Sequence, residues 1–209
     1  MGDHYFSADP ATADQRREVA ARIWGREYTF TTARGVFARD GLDKATSILL
    51  DTCEPPRTAR TVLDLGCGWG PIACAIAREC SDVVVHAVDT NARALDLVRR
   101  NADRLDVRDR VLAYAPDEAP DATYDEIWSN PPIRIGKQAL HEMLLHWLGR
   151  LSGDGVARLV VGKNLGSDSL QRWLIDQGYP TDRVASAKGF RILRAQAPED
   201  TAEPVPGHP

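Results

Sequence analysis

Short apolar runs alternate with amphipathic stretches over most of this chain. Short apolar or β-branched runs predict strands that are buried in a sheet. The predicted strands are 61–65, 83–88, 110–113, 125–129, 155–161, 183–187 and 190–195. Apolar residues at helical spacing predict helices at 71–80, 91–105, 137–151 and 169–177. Lys188-Gly189, between the last two strands, is typical of a hairpin turn.

This alternation predicts an α/β fold with a mostly parallel sheet and helices on both faces. Seven strands are expected, and the closing hairpin adds antiparallel pairing at one edge of the sheet. Ligands of such sheets bind beyond the carboxyl ends of the strands. The residues that follow strands 61–65 and 125–129 are therefore the first candidates for a site.

Residues 1–58 are predicted to form an arm and not a domain of their own. The arm contains two predicted strands and one predicted helix, 28–31, 36–37 and 43–51. It has too few apolar residues for an independent core, so we expect it to pack on the core, 59–196, and to close part of the cleft. The last segment, 197–209, is acidic and rich in proline, which predicts a disordered tail.

Composition and charge narrow the class of protein. The chain has 209 residues, 43% hydrophobic and 27% charged, which is ordinary for a globular protein. No stretch is apolar enough to span a membrane, and Met1 to His4 lack a basic then apolar pattern, so no signal sequence is expected. The four cysteines form no CxxC pair, and Cys74 and Cys80 follow an apolar helical pattern, so reduced core thiols and a cytoplasmic location are expected. A net charge of -4 argues mildly against a nucleic-acid partner. Scattered basic residues are usually a solvated surface, and the alternative is a basic rim around the cleft that contacts phosphates.

A glycine-rich turn, Gly66 to Gly70, follows the first core strand. Its spacing is Gly-x-Gly-x-Gly, and Pro71 stands where a dinucleotide-binding loop needs its third glycine. S-adenosylmethionine has no pyrophosphate, so its loop does not need that third glycine. It needs the backbone to approach an amino acid and a ribose closely, which spaced glycines permit. Asp64 is then expected to bind the ammonium group of this methyl donor. Asp89, at the end of the next strand, is expected to accept both ribose hydroxyls.

The sequence Asn130-Pro131-Pro132-Ile133 follows the strand 125–129. The Asn130 side-chain oxygen and the Pro131 carbonyl can accept the two hydrogens of a planar amino group. Two acceptors placed in this way bias the nitrogen toward the tetrahedral geometry of a nucleophile. The prolines stiffen the turn, so the acceptors are preorganised. Together with the glycine turn, this sequence predicts methyl transfer to an amine.

These motifs resemble the class I S-adenosylmethionine methyltransferases of the small-domain type. That group includes the ribosomal small-subunit methyltransferase C family, which methylates guanine N2 in 16S rRNA. The resemblance implies a Rossmann-like fold, S-adenosylmethionine as cofactor and RNA as partner. It covers about residues 3–196 and is carried by His4 to Ser7, Gly35 to Phe37, Asp64 to Ile72, Val88 to Asn91, Asn130 to Arg134 and Lys188 to Arg191.

Roles for individual residues follow from the motifs and the resemblance. The expected donor-binding residues are Thr46, Asp64, Gly66, Cys67, Gly68, Gly70, Asp89 and Asn130. The expected catalytic residues are Asn130, Pro131, Pro132 and Ile133, and the expected substrate-binding residues are Phe37, Arg134, Lys137 and Phe190. No metal site is expected, because no His, Cys or acid cluster has ligand spacing.

Two positions depart from the family pattern. Ala115 stands where the family commonly has Asp or Asn against the adenine amine, so Asp117 or a backbone group would substitute. Ile133 stands where many base-methylating relatives have an aromatic residue, which disfavours adenine in DNA and leaves base stacking to Phe37 or Phe190.

The sequence thus predicts an N-methyltransferase acting on guanine N2 in ribosomal RNA. Full-length rRNA enzymes of the family carry a further N-terminal domain, and a monomer or a homodimer is expected for this chain. The alternatives are a methyltransferase acting on a protein glutamine or a small-molecule amine, and a non-catalytic RNA-binding factor with a vestigial donor pocket. An oxidoreductase is disfavoured, because the third glycine of a dinucleotide loop is missing.

Overall fold

The computed structural model describes residues 16–33, 35–36 and 41–198. Its strands are β1 (Arg16–Ile23), β2 (Arg26–Ala33), β3 (Thr61–Leu65), β4 (Val84–Val88), β5 (Val111–Tyr114), β6 (Tyr124–Ser129), β7 (Leu151–Gly162), β8 (Thr181–Ala187) and β9 (Phe190–Gln196). Its helices are α1 (Lys44–Thr52), α2 (Pro71–Glu79), α3 (Ala92–Arg104), α4 (Lys137–Leu148) and α5 (Ser167–Asp176), with 3-10 turns at Ile133–Ile135 and Lys163–Leu165.

Seven strands form the central sheet in the order β5-β4-β3-β6-β7-β9-β8. The pairs from β5 to β7 are parallel, and β9 is antiparallel to both β7 and β8. The predicted Rossmann-like fold, with its mostly parallel sheet and antiparallel C-terminal hairpin, is therefore confirmed. β1 and β2 form a separate antiparallel hairpin.

The two faces of the sheet are covered by different helices. Because side chains alternate along a strand, Val62 packs with the buried residues of α1, α2 and α3, whereas Leu63 packs with those of α4 and α5. All four cysteines are free and buried, so the thiols of Cys74 and Cys80 belong to the core as predicted.

The chain reverses its direction of winding between β3 and β6. From β3 it proceeds outward through β4 to β5, and it then returns to the other side of β3 as β6. The carboxyl ends of β3 and β6 are therefore neighbours, and the Ser129 hydroxyl donates to the Leu65 carbonyl across 2.7 Å. A reversal of this kind opens a crevice at the sheet edge, where ligands bind.

Most predicted elements of the core are present with shifted ends. The helix predicted to reach residue 151 ends at Leu148, because β7 begins at Leu151, earlier than the expected 155. In the arm, the strand β1 was not predicted. It is a solvent-facing hairpin strand in which only Val19, Ala21 and Ile23 are buried at alternate positions.

Of the predicted strand 36–37, helix 43–51 and tail, the helix is present, the strand is wrong in part, and most of the tail lies outside the described residues. The predicted strand 36–37 is wrong at Val36, which lies in a bend after a turn at Gly35. Phe37 lies outside the described residues, and so does the predicted tail beyond Pro198. The helix predicted at 43–51 is present as α1.

The β1–β2 hairpin packs against the helices α2 and α3. Phe30 is fully buried, stacks on Tyr28 and meets the ring of Trp69 edge-on at a centroid distance of 4.9 Å. These contacts join the hairpin to the glycine turn that contains Trp69. The division of the chain at residue 58 stays a prediction. Within the described residues, none of the helices has the length and apolar character needed to cross a membrane.

Candidate active site

A cavity of about 430 Å³ lies at the carboxyl ends of β3 and β6, a size typical of small-molecule sites. The glycine turn after β3 and the residues after β4 form one side of it. The turn after β6 forms another, together with Phe190 at the start of β9 and residues of the arm. The predicted site residues in its wall are Thr46, Gly66, Cys67, Gly68, Asp89, Asn130, Pro131, Pro132, Ile133, Arg134 and Phe190.

Three predicted site residues do not line this cavity. Asp64 shares a face of β3 with Val62, so its carboxylate lies beneath α2. Gly70 begins α2 with a left-handed φ of 82°, and a Cβ there would approach Val98 Cγ2 to 3.1 Å, so this glycine permits close helix packing. Lys137 begins α4 and lies on the surface near Trp173, because the 3-10 turn Ile133–Ile135 carries the chain out of the crevice.

The Asp64 carboxyl group is almost fully buried, with 1% exposure. Its Oδ2 accepts a hydrogen bond from the Ala73 backbone N–H across 3.0 Å, at the first turn of α2. Its Oδ1 has no hydrogen-bond partner within the described part of the chain. Burial raises the pKa of Asp64 to about 7, and the nearby Asp89 charge adds to the rise, whereas the bond from Ala73 opposes it. Asp64 thus holds the first turn of α2, the helix that follows the glycine turn.

Asp89 ties the glycine turn to the end of β4. Its Oδ2 accepts from the Gly68 backbone N–H across 2.9 Å, and its Oδ1 accepts from the Asn91 backbone N–H across 2.9 Å. Burial raises the pKa of Asp89, and the backbone donors oppose that rise. Each carboxylate oxygen can accept more than one hydrogen bond, so both stay competent to bind hydroxyl groups at the cavity wall.

The glycine turn itself is held by backbone bonds to β4. The N–H groups of Gly66 and Cys67 donate to the Val88 carbonyl across 2.8 and 3.1 Å. Gly66 and Gly68 have φ values of 72° and 55°, a left-handed conformation that favours glycine. The Cys67 thiol is buried, which raises its pKa well above the ordinary value and keeps it protonated.

The amide of Asn130 is anchored on its nitrogen side. Asn130 Nδ2 donates to Asp43 Oδ2 across 2.8 Å and to Thr46 Oγ1 across 3.2 Å. Asn130 is only partly buried and lines the cavity. The carbonyl of Pro131, the second predicted acceptor, accepts from the Ile133 N–H across 2.8 Å. One of its two lone pairs is therefore used inside the turn.

Asp43 is a site residue that the sequence reasoning missed. The sequence predicts Asp43 only as the first residue of the helix 43–51. In the structure it is the N-cap of α1, and its contact with Asn130 depends on how the arm packs. Met143, Trp147 and Leu165 add an apolar wall to the cavity. The sequence places Met143 and Trp147 only in a predicted helix, and it gives no signal for Leu165. Pro116 lines the cavity but Asp117 does not, and the role expected of Asp117 against the adenine amine stays a prediction.

No group of three or more His, Cys, Asp or Glu side chains within the described ranges is arranged to hold a metal ion. The polar groups in the cavity wall include the Asp89 carboxylate, the Asn130 amide and the backbone of the glycine turn.

The chain is similar in sequence and in fold to known proteins. The family model "Methyltransferase small domain" matches residues 27–194. The uncharacterized protein YbxB of Bacillus subtilis is 30% identical over 200 residues, which cover 94% of this chain and 99% of YbxB. The ribosomal RNA small subunit methyltransferase C of Escherichia coli K12 is 31% identical over 186 residues, or 84% of this chain.

A solved structure of the 16S rRNA N2 methyltransferase RsmC from T. thermophilus, in complex with AdoMet and guanosine, has a TM-score of 0.75 and 25% identity over 90% of this chain. The chain spans 52% of the length of both rRNA enzymes. The family match covers most of the chain, including every strand of the central sheet except the last residues of β9. The chain belongs to the methyltransferase small domain family.

Proposed function

We propose that this chain transfers a methyl group from S-adenosylmethionine to the N2 amine of a guanine in ribosomal RNA. The observation that carries the proposal is the orientation of the Asn130 side-chain amide. Both hydrogens of its amide nitrogen have acceptors, Asp43 Oδ2 and Thr46 Oγ1, which leaves the side-chain oxygen to accept from a target amine at the cavity wall. A hydrogen bond accepted there biases the amine nitrogen toward tetrahedral geometry, in which its lone pair is free to attack the methyl carbon.

The donor half of the site fits S-adenosylmethionine. Asp89 offers a carboxylate for the ribose hydroxyls, and its own backbone bonds hold it in position. Gly66 and Gly68 expose backbone without side chains, so an amino acid and a ribose can approach closely. When bound, the cofactor supplies an electrophilic methyl group on a sulfonium. Asp64 holds the first turn of α2 and does not line the cavity.

The target half of the site combines apolar and cationic groups. Ile133 and Phe190 offer apolar surface to a base, and Phe190 supplies an aromatic ring of the kind that stacks on flipped bases. Lys44 Nζ lies 5.9 Å from the centroid of the Phe190 ring. Arg134 is an exposed residue in the wall of the cavity, where its charge suits a phosphate.

The relatives support the choice of target. The T. thermophilus structure is a complex with AdoMet and guanosine, and the E. coli relative is named for ribosomal RNA. Because this chain spans only about half of each, the choice of rRNA and of the modified position is part of the proposal. A cytoplasmic location is also inferred, since the four buried cysteines are free thiols.

The test uses purified protein, donor labelled in its methyl group, and 16S rRNA. Label in the RNA that survives protease but not RNase is expected, and mass analysis of the nucleosides should identify N2-methylguanosine. The Asn130→Ala variant, prepared in the same way, controls for a contaminating methyltransferase. Label found only in protein, or in N6-methyladenosine, would show that the proposed target is wrong.

A further inference from the structure

The carboxylate of Asp43 joins the start of α1 to the turn after β6. Asp43 Oδ2 accepts from the backbone N–H groups of Ala45 and Thr46 across 2.8 and 3.2 Å, which makes Asp43 the N-cap of α1. The same oxygen accepts from Asn130 Nδ2 across 2.8 Å, although 87 residues separate the two along the chain. One carboxylate oxygen therefore holds both a helix end and the central side chain of the site.

The chemistry of these partners dictates which end of the Asn130 amide faces the cavity. A carboxylate oxygen has no hydrogen to donate, so it can only accept hydrogen bonds. The Asn130 amide must therefore direct its nitrogen, and not its oxygen, toward Asp43. The opposite orientation would bring two oxygens to hydrogen-bond distance with no hydrogen between them. The amide nitrogen has two hydrogens, and the second is directed to Thr46 Oγ1. Within the described ranges, no group donates to Asn130 Oδ1, and Asn130 lines the cavity.

We propose that Asp43 is a positioning residue for the target amine, acting through Asn130. It fixes the amide so that Oδ1 points to the amine, and its negative charge polarises the amide toward that oxygen. This inference rests on the proposed function of the same cavity and extends it to a residue of the arm. The turn after β6 supplies the acceptor, Asn130 Oδ1, and packing of the arm supplies Asp43, which orients it.

Two substitutions separate positioning from helix capping. Asp43→Ser keeps an N-cap oxygen for Ala45 and Thr46, but its side chain is one bond shorter and withdraws from Asn130. Asp43→Asn keeps an oxygen at the length of the original side chain, so it can both cap α1 and accept from Asn130 Nδ2. Asp43→Gly replaces the serine variant if that variant does not fold, because glycine is also well tolerated at an N-cap.

The first readout is turnover with the labelled donor and 16S rRNA. Asp43→Ser should lower kcat about tenfold to a hundredfold, as expected for a misplaced acceptor, while the donor dissociation constant changes less than about twofold. Asp43→Asn should retain a much larger part of kcat than Asp43→Ser. Equal kcat for wild type and Asp43→Ser, or equal losses in both variants, would overturn the inference.

The second readout does not depend on activity. In ¹⁵N-labelled protein, the side-chain NH₂ cross-peaks of Asn130 can be assigned by their absence in Asn130→Ala. They should shift in Asp43→Ser and Asp43→Gly, because the hydrogen bond to a carboxylate is lost, and unshifted peaks would overturn the inference. A wild-type protein that transfers no label to any RNA would instead refute the proposed function, and the cross-peaks would still decide whether Asp43 anchors Asn130.

Discussion

The side chain of Asn101 and the backbone of Thr31 hold each other through two hydrogen bonds. Asn101 Nδ2 donates to the Thr31 carbonyl across 2.9 Å, and the Thr31 N–H donates to Asn101 Oδ1 across 2.7 Å. Asn101 Nδ2 also donates to the Trp69 carbonyl across 2.8 Å. One fully buried amide on α3 therefore links the arm hairpin to the glycine turn of the cavity.

Asn101→Ala should destabilise the protein by about 3 kcal/mol, because it leaves buried backbone groups of Thr31 and Trp69 without partners. Denaturant unfolding followed by circular dichroism measures the change. Asn164→Ala, the same substitution at an exposed residue of the 3-10 turn after β7, is the matched control. A loss below about 0.5 kcal/mol for Asn101→Ala would show that the hairpin is not held by this amide.

Asn130→Ala should lower kcat for methyl transfer by about 10²-fold, as the loss of one positioned polar group does. Donor affinity should change little, because the proposal assigns the donor to Gly66, Gly68 and Asp89, on the side of the cavity formed after β3 and β4. Single-turnover kinetics with labelled donor measure the rate, and calorimetry measures the affinity. Asn164→Ala again serves as control, since Asn164 lies near the same sheet edge but does not line the cavity. An unchanged kcat would refute the amine-acceptor role.

Asp89→Asn should weaken donor binding by about 1.5–3 kcal/mol, the value expected when charge-assisted hydrogen bonds are lost. The substitution keeps one oxygen as an acceptor for the backbone of the turn, so it disturbs the fold less than alanine would. Calorimetric titration with S-adenosylmethionine measures the change. Asp117→Ala, at an exposed carboxylate outside the cavity wall, should leave affinity within about twofold. Equal affinities for Asp89→Asn and wild type would remove Asp89 from the donor site.

The sequence was sufficient to predict that the glycine turn and Asn130 meet, because each follows a parallel strand and such strand ends share one edge of the sheet. It was less informative about Asp64, since strand alternation directs this carboxylate beneath α2, whereas Asp89 follows its strand and reaches the cavity wall. The contact of Asp43 with Asn130 had no local signal. It depends on the packing of the arm, which a pattern of apolar residues along the chain does not encode.

Phe190→Ala should raise the KM for RNA by roughly tenfold, because loss of one base–aromatic stack costs about 1–3 kcal/mol. Phe190→Tyr preserves the ring and should restore most of the affinity. The donor dissociation constant should be similar in both variants, since Phe190 lies at the start of β9, away from the donor-binding turn after β3. Steady-state kinetics at saturating donor measure KM. A KM that is the same for alanine and wild type would show that the target base stacks elsewhere.

Asp64→Asn should change how stability depends on pH. Because burial raises the pKa of Asp64 from 3.8 to about 7, the folded protein keeps a proton that the unfolded chain releases between these two values. Stability of the wild type should therefore fall as pH rises through this window, by at most about 1.4 kcal/mol per pH unit, with the loss complete above about pH 7. The asparagine variant lacks this titration, so its stability relative to wild type should rise with pH. Denaturant unfolding at several pH values measures the difference, and Asp117→Asn controls for the change in net charge. Parallel pH profiles for wild type and Asp64→Asn would show that the buried carboxyl group titrates normally.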